Sequence, residues 1–438
     1  MKSRPIAWRV LVLVSATTCA CASKATVAPS DAGKGSSGSK PHDAAMAVST
    51  GHCSGTVQTK GTAAAAAPSP PAVTLSPGFS IEVIATVDSA RQLVALPNGD
   101  LLVSTRGTDV WIVPNAEATA APDAPILFTS VNDAPVQGIA FLPDTCTLAV
   151  GSQHGIYTTA YADGQTTATL GSSVAAIRSG ALVHTSTDTD THITTSLTFA
   201  DGKLYAGVGS SCNACVEVDP TRATVQEMAP DGSGMTTRAR RIRNAIAVTT
   251  NPATGTVWAG GAGQDDLAEG HPYEFFDAVT LHTGEADYGW PACEENQTAY
   301  IAGSDCSGTV VPRIELPAYS TLIGAAFYPA GQTGAYAFPK AYRGGLFITA
   351  HGSWHTIPGS NTYFSAPRVA FVAMSGDTPK TPVDWADPTK QWVDFMSGFQ
   401  LADGTTRIGR PTGVAVGVKG SLFVADDQTN EVYRVRPD

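Results

Sequence analysis

Three side chains that can bind or carry charge stand immediately before apolar segments of strand-like composition: His192, Arg243 and Arg410. An imidazole titrates near the operating pH of most enzymes and therefore suits a general base. A guanidinium can form paired hydrogen bonds with a carboxylate or phosphate, and Asn244 adds an amide beside Arg243. A lone loop histidine usually has no role, and Arg243 could simply pair with a nearby aspartate. The shared position of the three residues is therefore a stronger signal than any one of them.

Two weaker groups of polar side chains also point to a ligand site. His351 and Trp354 could line a pocket for a sugar or another ring, or could be ordinary loop residues. Asp188, Asp190 and His192 would share one face of an extended segment and could bind a metal ion.

A glycine-rich, acidic turn follows Arg243 and contains Gly263 and Gln264. Ca²⁺ readily accepts backbone carbonyl oxygens as ligands. The carbonyl groups of these two residues could therefore face a hard cation, although a glycine turn alone is weak evidence for one.

Six similar units predict an all-β protein, a six-bladed β-propeller. In each unit an apolar strand, a polar turn and a second apolar strand follow one another, and Asn-Gly and Asp-Gly turns are strong hairpin signals. Repeated sheets of about four short strands are typical of propellers. The units span 93–103, 139–150, 197–205, 246–258, 325–348 and 414–424. His192, Arg243 and Arg410 each precede one of these units, so we expect them at one axial mouth.

Composition agrees with this fold and excludes one class of partner. Charged residues make up 15% of the 438 residues, whereas glycine (43) and proline (29) are abundant, as expected for a chain with many turns. The net charge of −11 argues against nucleic-acid binding.

The N-terminal region predicts export. Residues 1–22 have a basic start and a short apolar core that is typical of a signal peptide. Cleavage could follow a small-x-small motif, or Cys19 or Cys21 could carry the lipid of a bacterial lipoprotein. Residues 23–75 are of low complexity, which indicates a tether, and residues 76–438 are predicted to form the propeller. We expect an exported protein, either periplasmic or attached to the outer membrane as a lipoprotein.

The cysteines beyond the signal suggest disulfide bonds, as an even number in an exported protein usually does. Cys293 and Cys306 bracket one loop and form the first predicted pair. Cys212 and Cys215 form the second pair, or else a metal or redox site. Cys53 and Cys146 are then left over, and Cys146 could be a free buried thiol.

These motifs, in this order, resemble the soluble quinoprotein sugar dehydrogenases, in particular the aldose sugar and L-sorbosone dehydrogenase-like branch. The resemblance covers roughly residues 76–438. It rests on His192 before Leu-Thr-Phe, on Ser-Cys-Asn-Ala-Cys, on Arg-Asn, and on four further motifs: Tyr288-Gly289-Trp290-Pro291, Tyr342-Arg343-Gly344-Gly345, His351-Gly352-Ser353-Trp354 and Gly409-Arg410-Pro411.

The resemblance implies a propeller that holds pyrroloquinoline quinone (PQQ) over its axial mouth, with Ca²⁺ against the quinone. His192 matches the family's catalytic base. The other matching positions have binding roles: Arg243, Asn244 and Arg410 match cofactor contacts, Gly263 and Gln264 match the carbonyl ligands of Ca²⁺, and His351 or Trp354 occupies the region of a cofactor-binding lysine. The sequence departs from relatives at Thr195, where the sorbosone-like branch has arginine, and at Ser210, where the glucose enzymes have an acid.

The sequence therefore predicts a PQQ- and Ca²⁺-dependent dehydrogenase that oxidises an aldose sugar or a related aldehyde or alcohol. Its partners would be that small substrate and a separate electron acceptor, with no nucleic acid and with a possible lipid anchor to a membrane. One alternative is an exported binding module for carbohydrate or envelope partners that lacks the cofactor. Another is a metal-dependent, lactonase-like hydrolase, which the arginines disfavour.

Overall fold

A computed structural model describes residue 53 and residues 70–119, 122–180, 191–267 and 270–438. These residues all belong to one compact unit, Met46–Asp438. The predicted signal peptide, most of the low-complexity segment, and Asp188 and Asp190 lie outside the described residues, so those predictions stay predictions. Within the described residues, no helix has the length and apolar character needed to cross a membrane.

Strands dominate the described part of the chain. The first ten are β1 (Thr74–Leu75), β2 (Phe79–Thr86), β3 (Ala90–Ala95), β4 (Leu101–Thr105), β5 (Asp109–Val113), β6 (Ile126–Ser130), β7 (Gly138–Leu142), β8 (Thr147–Gly151), β9 (Gly155–Ala160) and β10 (Ala175–Ala176). The next are β11 (Thr195–Ala200), β12 (Lys203–Val208), β13 (Thr224–Met228), β14 (Thr236–Arg240), β15 (Ala247–Thr250), β16 (Val257–Gly260), β17 (Glu274–Asp277), β18 (Ala286–Asp287), β19 (Cys293–Glu294), β20 (Thr298–Ala299) and β21 (Ile314–Leu316). The last are β22 (Leu322–Phe327), β23 (Leu346–Ala350), β24 (Arg368–Val372), β25 (Met374–Ser375), β26 (Thr378–Pro379), β27 (Val393–Ser397), β28 (Pro411–Val416), β29 (Leu422–Asp426) and β30 (Glu431–Pro437). Two short 3-10 helices cover Val279–Leu281 and Pro388–Gln391.

Six antiparallel sheets form the blades, which confirms the predicted six-bladed propeller. Their strand orders are β3-β4-β5-β6, β7-β8-β9-β10, β11-β12-β13-β14, β15-β16-β17-β21, β22-β23-β24-β27 and β28-β29-β30-β2. The third sheet gains β18, parallel to β14, and the fifth gains β1 beside β27. The first strand of each blade contacts the first strand of the next blade, and β28 contacts β3, so these six strands surround the axis.

Pairing between the two ends of the propeller closes the ring. Strand β2 pairs with β30 from Phe79↔Pro437 to Thr86↔Glu431, so the last blade contains strands from both ends. Closure of this kind leaves no blade without a neighbour. Strand β1 begins at Thr74, two residues before the predicted boundary of the propeller at residue 76.

The hairpin of the third blade shows how local sequence determines strand register. Asp201 and Gly202 connect β11 to β12 with φ angles of 49° and 74°. A two-residue turn with both angles positive matches the twist of antiparallel strands, and Asp-Gly favours it. The turn pairs Ala200 with Lys203 and Thr195 with Val208. It therefore fixes where the segment before β11, which carries His192, reaches the axial mouth.

Two disulfide bonds confirm the predicted pairs Cys212–Cys215 and Cys293–Cys306, and a third joins the two remaining cysteines, Cys53 and Cys146. The alternative of a free Cys146 is therefore wrong. Its bond ties a residue of the predicted tether to the turn between β7 and β8. The bond between Cys212 and Cys215 uses both sulfur atoms, which argues against their interpretation as metal ligands.

Candidate active site

One cavity of about 760 Å³ lies at the axial mouth where the first strands of the blades begin. Six of the eight predicted site residues line it: His192, Arg243, Asn244, His351, Trp354 and Arg410. These residues lie before or after strands that run in opposite directions within their blades. His192 and Arg410 precede first strands, whereas His351 follows β23, an antiparallel second strand that ends at the same mouth.

Hydrogen bonds fix the orientation and tautomer of His192. Its Nδ1 atom lies 3.1 Å from the backbone oxygen of Ser210 and 2.8 Å from Ser210 Oγ. The hydroxyl hydrogen of Ser210 is donated to the backbone oxygen of Cys212. Since both Ser210 oxygens then act as acceptors, Nδ1 carries the proton and Nε2 has a free lone pair. Ser210 thus orients the imidazole with its backbone carbonyl and a neutral hydroxyl group.

The pKa of His192 falls to about 3, first because of its burial and second because of the Arg243 guanidinium. The imidazole is therefore neutral at ordinary pH and able to accept a proton. Gly209 permits this arrangement, because a Cβ atom there would lie 2.5 Å from His192 Cβ and 2.5 Å from Asn244 Oδ1. Sequence reasoning missed Gly209, since a close approach between two blades leaves no local signal.

Arg178 supports the backbone around His192 and was also missed. Its guanidinium donates to the backbone oxygens of His192 (3.1 Å) and Thr194 and to Thr195 Oγ1 (2.6 Å). Arg178 is 3% exposed. An arginine from the segment after β10 thus packs against Thr195 at the start of β11.

Arg243 is held by side-chain and backbone acceptors from two neighbouring loops. Its Nε donates to the backbone oxygen of Asn213 (3.0 Å), and its Nη2 to Asn213 Oδ1 (2.9 Å). Nη2 also forms an ion pair with Asp265 Oδ2 at 2.7 Å. The salt bridge considered for Arg243 therefore exists inside the cavity wall. Next to it, Asn244 Oδ1 is buried without a hydrogen-bond partner among the described residues.

Arg410 is held by backbone carbonyls, beside a buried network of charged groups. It donates from Nε to the backbone oxygen of His351 (3.1 Å) and from Nη2 to that of Gly352 (3.0 Å). Asp427 accepts from His351 Nε2 (2.8 Å) and pairs with Arg91 Nη1 (3.0 Å). Burial lowers the pKa of His351 to about 4 and that of Arg91 to about 10.

Gly263 and Gln264 are not among the described residues that line the large cavity, but they directly precede Asp265, which does. Gln264 is buried, and its amide donates to Glu294 Oε1 and to the backbone oxygen of Pro291. No described residue donates a hydrogen bond to the carbonyl oxygen of Gly263 or Gln264. Burial raises the pKa of Glu274 and of Glu294, which lie beside this loop, to about 8.

Aromatic rings form one side of the mouth. Trp354 is 67% exposed, and its ring centroid lies 3.8 Å from that of His355. His355 Nε2 lies 3.2 Å from Asp265 Oδ1, and its ring packs against Tyr319 at 5.0 Å. An exposed indole beside acidic and amide groups is a surface on which a flat ring can stack.

The structure resembles several solved propellers. One is an AA12-family carbohydrate-active enzyme from Trichoderma reesei, with a TM-score of 0.66 and 19% identity over 87% of this chain and 100% of that one. Another is the PQQ domain of pyranose dehydrogenase from Coprinopsis cinerea, with a TM-score of 0.65 and 17% identity over 85% and 98%. At these identities the likeness supports the fold alone.

Sequence comparison gives a relative and a family. An uncharacterized protein of Borreliella burgdorferi is 26% identical over 240 residues, and the matched region spans 54% of this chain and 57% of that protein. The pattern that defines the TrAA12-like family matches residues 73–438, which include every described strand. The chain therefore belongs to the TrAA12-like family, the AA12 group of pyrroloquinoline-quinone-dependent oxidoreductases.

Proposed function

We propose that this protein is a PQQ- and Ca²⁺-dependent dehydrogenase that oxidises an aldose sugar or a related aldehyde or alcohol, with His192 as the general base. The observation that carries the proposal is the convergence of a neutral, tautomer-fixed histidine and several guanidinium groups on one cavity. The family membership supplies the class of cofactor. Substrate, base and cation are our assignments.

The cavity suits a polyanionic, planar cofactor. Four guanidinium groups line it, against the two carboxylates Asp265 and Asp266, and its volume lies within the roughly 300–1,000 Å³ that is usual for cofactor sites. Asn244 Oδ1 lacks a described partner and could accept a hydrogen bond from a bound ligand. The lining guanidinium groups belong to Arg91, Arg106, Arg243 and Arg410.

The Gly263–Gln264 loop has the donor atoms for the cation. Its carbonyl oxygens accept no hydrogen bond from a described residue, and hard cations prefer such oxygens. We therefore assign Gly263 and Gln264 as the protein ligands of Ca²⁺. When bound, PQQ with its cation would supply an electron-poor quinone that accepts a hydride, two electrons with one proton, from the substrate.

The chain itself supplies proton transfer and orientation. His192 Nε2 takes the proton of the substrate hydroxyl, while Ser210 holds Nδ1–H and prevents the ring from turning. The low pKa of His192 keeps the base unprotonated before each turnover. Arg243, Asn244 and Arg410 would hold the anionic cofactor, and Trp354 with His351 would border it. The lactonase-like alternative is disfavoured because Asp265 is already paired with Arg243.

Titration of the purified apo-protein with PQQ tests the proposal, in the presence of Ca²⁺ and in parallel with excess EGTA. Dye-linked oxidation of a panel of aldoses is the readout, because the dye replaces the separate electron acceptor that we also propose. We expect saturable activity that requires both additions. Absence of PQQ binding at high micromolar concentration would contradict the proposal and favour the cofactor-free binding module.

We further propose that the protein is exported, with residues 1–22 as its signal and a lipid anchor as one form of attachment. The bond between Cys53 and Cys146 agrees with an oxidising compartment. Mass spectrometry of the mature N-terminus checks this. A lipid on Cys19 or Cys21, or a free Ser23, would support export, whereas an intact Met1 in cells of the source organism would contradict it.

A further inference from the structure

Asn213 makes five hydrogen bonds to three residues around the cavity. Its Oδ1 atom accepts from Arg243 Nη2 (2.9 Å) and from the backbone N–H of Asp265 (2.8 Å). Its Nδ2 atom donates to the backbone oxygen of Asp265 (3.1 Å). Its own backbone oxygen accepts from Arg243 Nε (3.0 Å) and from Trp290 Nε1 (3.1 Å). One residue thus connects the cavity arginine with the loop that contains Gly263 and Gln264.

The chemistry of these partners requires an amide at this position. A guanidinium and a backbone N–H can only donate, so both must face Oδ1, and a backbone carbonyl can only accept, so it must face Nδ2. The amide orientation is therefore unambiguous. A carboxylate in the same place would direct a second oxygen at the backbone oxygen of Asp265, and a shorter side chain would reach neither partner.

The backbone of Asn213 is itself constrained by a covalent ring. Asn213 lies between Cys212 and Cys215, whose disulfide closes a loop of only three peptide steps. Cys212 packs in a small cluster with Ala223 and Trp290. Before the ring, the N–H and hydroxyl of Ser211 are both held by Glu217. Because the backbone of Asn213 is already constrained, it loses little conformational freedom when a ligand binds, and the site is preorganised.

We propose that Asn213 is a positioning residue: fixed by the Cys212–Cys215 ring, it orients the Arg243 guanidinium and the Gly263–Asp265 loop toward the bound cofactor. This inference rests on the proposed function. Without Asn213, Arg243 keeps only Asp265 as a side-chain partner, and the guanidinium can turn toward the carboxylate and away from the cavity.

A double-mutant cycle between Asn213 and Arg243 tests the proposal, with the affinity for PQQ in Ca²⁺ as readout. We expect Asn213→Ala to weaken binding by roughly 10-fold in the native background, because three side-chain hydrogen bonds are lost, one to Arg243 and two to Asp265. In the Arg243→Gln background the same change should matter less than about 3-fold. Ala214→Ser, at an exposed position of the same ring, is the matched control and should bind as the native protein does.

An equal loss in both backgrounds, or no loss in either, would overturn the proposal, because Asn213 would then act independently of Arg243 or not at all. A second variant, Cys212→Ser with Cys215→Ser, opens the ring and keeps the amide. It should also weaken binding, because the backbone that carries the amide is no longer constrained. Thermal unfolding of each variant establishes that it is folded.

A readout on the apo-protein separates this inference from the proposed function. Hydrogen exchange of the Arg243 Nε–H, followed by NMR, should be about 10-fold or more faster in the ring-opened variant, since the bond to the Asn213 backbone oxygen loosens. Failure of the native protein to bind PQQ would contradict the proposed function alone. Unchanged exchange in the ring-opened variant would contradict the positioning role, whatever the ligand.

Discussion

The two predicted arginines that line the cavity, Arg243 and Arg410, are held in opposite ways. Arg243 is bound by one side chain within a disulfide ring and is balanced by the carboxylate of Asp265. Arg410 is bound by two backbone carbonyls, and no described carboxylate forms an ion pair with it. Particular side chains, those of Asn213 and Asp265, therefore set the orientation of the Arg243 guanidinium. The Arg410 side provides a positive charge with no direct ion pair among the described residues, and its backbone acceptors remain when neighbouring side chains are substituted.

The largest effect is expected from Asp427→Asn, which breaks the buried network behind Arg410. Asp427 pairs with Arg91, and the two side chains are 8% and 9% exposed. Removal of one partner from a buried ion pair costs about 3–5 kcal/mol, because the other charge stays buried. Asp265→Asn is the matched change on the Arg243 side and should cost about 1 kcal/mol, since Arg243 keeps both bonds to Asn213. Urea unfolding measures both, and equal losses would remove the proposed difference.

Arg410→Gln should weaken PQQ binding by about 100-fold, because hydrogen bonds to a charged group contribute about 1.5–3 kcal/mol each. Isothermal titration calorimetry in Ca²⁺ measures this. Arg407→Gln is the control, since Arg407 is also partly buried but lies outside the cavity, stacked on Tyr363. A change of less than about 3-fold in Arg410→Gln would show that the Arg410 guanidinium does not bind the cofactor.

Gly209→Ala should reduce kcat by about 10-fold or more with a smaller effect on PQQ affinity. The added Cβ would displace His192, and small displacements of a catalytic group are costly. Steady-state kinetics provide the test, with Gly171→Ala as the control because a Cβ there meets no atom within 4 Å. Equal kinetics of the two variants would indicate that His192 does not depend on this approach.

The smallest effect concerns pH and His351. Its folded-state pKa of about 4 lies below the ordinary 6.5, mainly because of burial. The folded state therefore resists protonation. Stability is fully present above pH 6.5 and is lost as pH falls from 6.5 toward 4. Asp427, with a pKa of about 2, stays charged through this window. His351→Gln should lose less stability than the native protein between pH 7 and 4, measured by urea unfolding, and an identical loss would contradict the assignment.

Much of the fold and part of the site were predictable from the sequence. The blades were predictable because turns such as Asp201-Gly202 are local hairpin signals. The residues before the first strands of the blades were predictable neighbours because all first strands begin at the same axial mouth. Arg178, Gly209 and Asn213 were not assigned roles. Their contacts are with residues of other segments, such as Thr194, Asn244 and Arg243, and contacts between segments leave no pattern in a single sequence.

The most direct test of the central claim is a single-turnover measurement of His192→Gln. PQQ-loaded protein is mixed with an aldose that the native protein oxidises, and loss of the oxidised quinone absorbance is followed by stopped flow. Loss of a general base should slow this step by about 10²–10⁴-fold at equal PQQ loading. His154→Gln, which changes an exposed histidine on the second blade, should react as the native protein does. Equal rates for the native protein and His192→Gln would contradict the role of His192 and with it the proposed mechanism.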